Sequence, residues 1–160
     1  MERRLARPIA LALIRRADAV LVFEVPDPVK GVVGYRPLGG TIEFGERGAD
    51  AVAREIREEV GADLVDVVYL GTLENIFEYL GRPGHELALI YEARFADATL
   101  YERDVIEARE ANGSPLRCTW KSLTDFERGE ALYPNGLLAL ATAWLARAAA
   151  REAPRSTPRR

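Results

Sequence analysis

Residues 39–62 read GGTIEFGERGADAVAREIREEVGA, and the reading of this stretch governs the rest of the chain. The pair Gly39-Gly40 predicts a turn, and Arg47 to Val60 predicts a helix. At about 100° per residue, Ala49, Val52, Ala53, Ile56 and Val60 fall within an arc of roughly 100°, the stripe of a helix that packs on a core. Gly61 follows, where a left-handed C-cap costs glycine nothing. The same helix carries a second stripe. With Glu55 at zero, Glu59 falls roughly 40° to one side and Glu58 roughly 60° to the other. Like charges so spaced destabilise a helix by roughly 0.2–0.5 kcal/mol per pair, and the lower dielectric beside a core sharpens the repulsion. A hard divalent cation would relieve it, because Mg²⁺ takes oxygen ligands and joins carboxylates to substrate phosphates. A solvated acidic face balanced by Arg47, Arg54 and Arg57 is the competing reading, and charge clustering alone does not separate the two.

Upstream, Pro8 to Ile14 and Ala19 to Val25 are apolar, partly β-branched runs split by Arg15-Arg16-Ala17-Asp18, which predicts a hairpin. Pro26 to Gly34 is rich in Pro and Gly and predicts a loop, followed by a short strand from Tyr35 to Leu38. Downstream, strands are expected at Leu64 to Leu70, Leu73 to Tyr79 and Leu87 to Phe95, the last two joined through Gly81-Arg82-Pro83-Gly84. Leu100 to Gly113 reads as a charged loop or short exposed helix, and Arg117 to Lys121 as one more strand. Leu137, Leu138, Ala141, Trp144, Leu145 and Ala148 recur at helical spacing and predict a C-terminal amphipathic helix. Residues 1–152 are thus expected to form a single domain, with 153–160 a polar, Pro-rich disordered tail.

The whole sequence sets limits on function. At 160 residues the chain suits one domain, and a net charge of −3 gives no general attraction to nucleic acid or anionic membrane. An acidic protein that handles an anionic substrate therefore needs a local device, a metal ion or a few placed cations. Cys118 is the only cysteine, which rules out an intrachain disulfide and a multi-cysteine zinc site and suits a reducing cytoplasm. The short apolar run near the N-terminus ends in Arg15-Arg16 and reads as a strand rather than a signal segment. No stretch nears the roughly 18 apolar residues of a membrane span. A P-loop is excluded because Gly39 to Glu46 lacks its Gly-Lys-Ser/Thr ending. One histidine and no Gly-x-Ser-x-Gly leave a serine hydrolase without support.

The spacing around the acidic stripe is more specific than the stripe. Gly40 is followed by five residues, then Glu46, seven residues, and Arg54-Glu55-Ile56-Arg57-Glu58-Glu59-Val60-Gly61. This resembles the Nudix box, with Ala62 where a larger aliphatic is usual. An N-terminal hairpin, the Pro-Leu-Gly-Gly entry, a strand pair after the box, a late Trp before Leu-Thr-Asp and a C-terminal helix extend the resemblance over residues 7–150. It implies an α/β (α+β) fold, an α/β/α sandwich with a mixed central β-sheet and a loop-helix-loop box. It further implies a Mg²⁺-dependent hydrolase, with Mn²⁺ as substitute, that cleaves a diphosphate bond in a nucleoside diphosphate derivative or a nucleoside triphosphate. Carried over, Glu58 and Glu59 are metal ligands, Glu55 is a ligand or the base, and the Gly39 carbonyl completes the metal shell. Gly40, Glu46, Arg54 and Gly61 are scaffold. Glu86, beside His85, is the second candidate base, and Glu102, Glu107 and Glu110 follow. Arg82 reads as an exposed turn residue. Tyr35, Phe44, Phe77, Tyr79 and Tyr91 read as strand packing rather than base-stacking residues. The resemblance also allows a homodimer through the exposed hairpin. The rivals are a non-catalytic nucleotide-binding module and an isopentenyl diphosphate isomerase-like enzyme. The second requires a catalytic cysteine and several histidines.

Overall fold

The computed structural model describes residues 4–152, so the tail expected at 153–160 lies outside the described residues. Strand β1 (Arg7–Arg16) runs through the middle of the molecule. It pairs antiparallel with β4 (Gly39–Thr41) and parallel with β6 (Arg82–Phe95), which pairs antiparallel with β5 (Leu64–Tyr79). The predicted hairpin from β1 to β2 (Ala19–Asp27) is paired only beside its turn, Arg15 with Val20 and Arg16 with Ala19. Away from the turn the strands separate. Strand β2 joins a second wing, between β3 (Val32–Arg36) and β8 (Pro115–Ser122), with β7 (Val105–Arg109) outside β8 and β9 (Ala131–Leu132) outside β3. The sheet is mixed.

Alternation along β1 explains the layers. Ala10, Ala12 and Ile14 face one core with Ala51, Val52 and Ile56 of helix α1 (Gly48–Val60). Ile9, Leu11 and Leu13 face the other, with helices α2 (Leu123–Glu127) and α3 (Leu137–Glu152) contributing Phe126, Leu137 and Trp144. A strand whose side chains alternate across the sheet must be apolar on both faces when helices cover both. Each fully buried Ile, Leu, Val or Phe among them contributes roughly 1.5–3 kcal/mol. The result is the expected α/β/α sandwich. No described helix is long and apolar enough to cross a membrane.

Five local expectations change. Pro26 to Gly34 is mostly strand, since β2 reaches Asp27 and β3 starts at Val32. Asp27 closes the tight turn by accepting the Val29 and Lys30 amides at 3.0 and 3.2 Å. The two strands expected at Leu64 to Tyr79 are one, bent by register shifts between Val65 and Val68 and between Tyr69 and Gly71. Leu80 and Gly81, with φ of 52° and 72°, make the hairpin turn alone, so Arg82 to Gly84 belong to β6. Leu100 to Gly113 is a one-turn 3-10 segment followed by β7. Gly39-Gly40 opens β4 instead of a free turn, with Gly39 paired to Leu11.

Candidate active site

Helix α1 has no side-chain cap at Arg47; its entry is held from within by Arg54. The guanidinium donates to both Glu46 oxygens, Nε to Oε1 at 2.8 Å and Nη2 to Oε2 at 3.0 Å, and Nη2 also reaches the Thr41 carbonyl at 3.0 Å. The Glu43 amide donates to Glu46 at 3.0 Å. The loop between β4 and α1 is therefore strapped to the helix by one arginine. The Arg54 partner and the Glu43 backbone hold the Glu46 carboxyl down at about 2, and Glu46 in turn raises the guanidinium pKa of Arg54.

The three box carboxylates occupy different surroundings. Glu58 is largely exposed and takes only a long bond from Arg54, at 3.4 Å. Glu55 is mostly covered, accepts from Arg54 at 3.1 Å, and lies against the loop backbone. A Cβ at Gly40 would sit 2.5–2.6 Å from the Glu55 carboxyl, so only glycine allows that approach. Glu59 is recessed. Its Oε2 is buried with no hydrogen-bond partner. Burial first, then the Glu55 charge, push its carboxyl up to about 7, against the opposing pull of Arg36 and the Gly39 backbone. Gly39 lies flat on β1, where a Cβ would meet the Ala10 carbonyl oxygen at 2.1 Å. Among the described residues, no three carboxylate, imidazole or thiol side chains already converge as a metal cage.

A cavity of about 430 Å³ opens nearby. Its lining includes the charged Arg7, Arg36, Glu86 and Glu110 and the aromatic Phe23, Phe77, Tyr79 and Tyr133. Glu86 is buried and ion-paired to Arg7. Glu110 lies near enough to add its charge to the fields at both Arg36 and Glu59. Glu102 and Glu107 are exposed outside this lining. His85 points to Glu74 at 3.2 Å, in the open. Of the aromatics expected to pack, Tyr35 and Tyr91 do so, against Phe126 and Tyr69. Phe44 is fully exposed, whereas Phe77 and Tyr79 line the cavity.

Sequence reading missed Arg7, Phe23, Arg36, Asn75, Tyr133 and Asn135 on the cavity wall. The one available signal was Arg36, a charge immediately before Pro-Leu-Gly-Gly on an otherwise apolar strand. Cys118 is wholly buried and its thiol is pushed up to about 12 by burial, which removes the nucleophile an isomerase-like reading needs.

Comparison with known proteins fits this arrangement. The NAD-capped RNA hydrolase NudC of Pseudomonas aeruginosa is 34% identical over 101 residues, 62% of this chain and 34% of that protein. NudC of Pseudomonas putida is 37% identical over 65 residues, 41% of this chain and 23% of its own. The matched stretch thus spans about a third or less of these curated relatives. Among solved structures, a NUDIX hydrolase from Nitrosomonas europaea superposes with a TM-score of 0.60 at 16% identity, covering 98% of this chain and 97% of its own. A MutT NUDIX hydrolase from Burkholderia pseudomallei gives 0.59 at 23% identity, with 88% and 98% covered. The family model for the NUDIX domain matches residues 5–131, and on that match the chain belongs to the Nudix hydrolase family.

Proposed function

We propose that this chain is a Mg²⁺-dependent hydrolase that cleaves the diphosphate bond of a nucleoside diphosphate joined to a second group. The observation that carries the reading is Glu59, a recessed carboxylate whose Oε2 has no partner. Leaving such an acceptor unsatisfied costs roughly 1–3 kcal/mol, and a hard cation is the partner its chemistry suits. Glu58, Glu59 and Glu55 would hold Mg²⁺, or Mn²⁺ in its place, with the Gly39 carbonyl beside them. The open arrangement leaves room for phosphate oxygens and water as the remaining ligands. When bound, the ion neutralises phosphate charge and lowers the pKa of water.

The protein's own groups supply the rest. Arg54 fixes the loop and α1 relative to each other, so the carboxylates keep their places without reorganising during turnover. Glu55, held beside Gly40 and next to Glu59, is the first choice for the base that takes a proton from the attacking water. Glu86 is the second, although its ion pair with Arg7 commits it to the cavity wall. The cavity shields the bound substrate from bulk water.

The Pseudomonas relatives are named for NAD-capped RNA, which favours a substrate in which a diphosphate joins two nucleosides. A panel of NAD, ADP-ribose, nucleotide sugars, dinucleoside polyphosphates and nucleoside triphosphates, followed by phosphorus NMR with Mg²⁺, tests this. The expected products of a linked nucleoside diphosphate are two phosphate monoesters. Tight nucleotide binding without phosphoanhydride cleavage in Mg²⁺ or Mn²⁺ would instead make the chain a binding module.

A further inference from the structure

The site's basic side chains are nearly all committed. Arg54 is taken by Glu46, Glu55 and Glu58, Arg7 by Glu86, and Lys30 by the Glu78 carbonyl and Asp27. Arg36 is the exception. It lines the cavity and, among the described residues, its side chain makes no hydrogen bond or ion pair. Burial depresses its guanidinium pKa, and the charges of Glu86 and, less strongly, Glu59 oppose that. Arg36 is half-buried, and its rigid fork of five N–H donors, with no protein partner, is free to take an anion in the cavity.

The aromatic lining of the cavity, which begins with Phe23 directly across the strand pair from Arg36, shows what the anion is attached to. Phe23, Phe77, Tyr79 and Tyr133 belong to none of the ring pairs found elsewhere in the protein. Two of these rings rest on bare backbone. A Cβ at Gly34 would lie 2.1 Å from the Tyr133 ring, and one at Gly84 would lie 2.3 Å from the Phe77 ring. Rings seated this way lose little entropy on binding and offer surface to another planar group. A cavity of about 430 Å³ is within the range of small-molecule sites.

We propose that Arg36 anchors the diphosphate of the substrate, with its guanidinium on non-bridging oxygens between Glu86 and Glu59, and that the aromatic wall takes the attached base. The ligand class is a nucleoside diphosphate, and bidentate recognition of its oxygens requires arginine rather than lysine. The assignment rests on the hydrolase reading for where the reacting bond lies, but binding itself needs no turnover.

Calorimetry in metal-free buffer separates the two. ADP, GDP, CDP and UDP are titrated beside their nucleosides into the wild type, Arg36→Gln and Arg36→Lys, each checked by thermal melting. One diphosphate is expected to bind the wild type at least about tenfold more tightly than its nucleoside. Arg36→Gln should weaken that diphosphate by about ten- to a hundredfold and leave the nucleoside unchanged, with Arg36→Lys between. If Arg36→Gln does not fold, a loss confined to the diphosphate in Arg36→Lys supports the assignment equally. Wild-type diphosphate affinity in a folded variant overturns it. So does an equal loss for nucleoside and diphosphate, or a wild type that does not distinguish them. A wild type that binds the diphosphate through Arg36 but hydrolyses nothing with Mg²⁺ sinks the hydrolase reading and leaves Arg36 in place.

Discussion

Glu59 and Glu46 stand thirteen positions apart in the chain, one on either side of Arg54, and their environments drive them in opposite directions. At pH 8 Glu59 must be ionised in a desolvated place, a cost the unfolded chain does not bear. Glu59→Gln should therefore raise metal-free stability by about 1 kcal/mol, a melting shift of about 2–4 °C for a chain of this size. Mg²⁺ should then raise the melting point of the wild type but not of the variant, because only a ligand bound to the native state stabilises it. A variant that melts lower than the wild type without metal would contradict this account of Glu59. Glu46 has the opposite sign. Its carboxyl is lowered from 4.5 to about 2, so its contribution is fully present above pH 4.5 and lost as pH falls through about 2. Urea unfolding from pH 5 to pH 2 should show a shallower acid decline in Glu46→Gln than in the wild type.

Helix α1 was legible because its information is local. Apolar spacing, a glycine stop and an arginine eight residues after a glutamate lie within one stretch, and the helix runs from Gly48 to Val60 with Gly61 at φ 74°. Gly61→Ala should cost about 1–2 kcal/mol by forcing a side chain into the left-handed region, and no neighbour adds a clash. Turnover of the folded variant should be unchanged. Gly40→Ala should behave differently. Its Cβ would displace the Glu55 carboxyl, so kinetics should show a fall in kcat larger than the loss in melting temperature implies. Strand extents were less legible. Leu64 to Tyr79 reads as two strands because Leu70-Gly71 looks like a break, yet β6 pairs with it along its whole length and tolerates the irregularities. The cavity as an assembly was not legible, since Arg7, Arg36, Asn75 and Tyr133 meet only once β1, β3, β5 and the segment before α3 are assembled.

At the scale of the molecule, β1 separates two cores, and only the one shared with α1 supports the carboxylates. Trp144 is buried in the other. Trp144→Ala should cost about 3–5 kcal/mol and lower the melting point accordingly, while kcat measured well below that melting point stays near the wild-type value. A matching collapse of kcat in the folded variant would show that α3 shapes the site. The sandwich was expected from the resemblance of the box, and β1 shows its physical reason, because a strand apolar from Ile9 to Ile14 needs cover on both faces. The central claim concerns the other face, where a metal held by α1 carries the chemistry. The most direct measurement is Mg²⁺-dependent turnover of the best panel substrate by wild type and by the Glu58→Gln/Glu59→Gln double variant, with folding of both verified by melting. The account predicts a folded double variant whose turnover is lower by orders of magnitude and no longer rises with Mg²⁺. A folded double variant with wild-type, Mg²⁺-dependent turnover would contradict it.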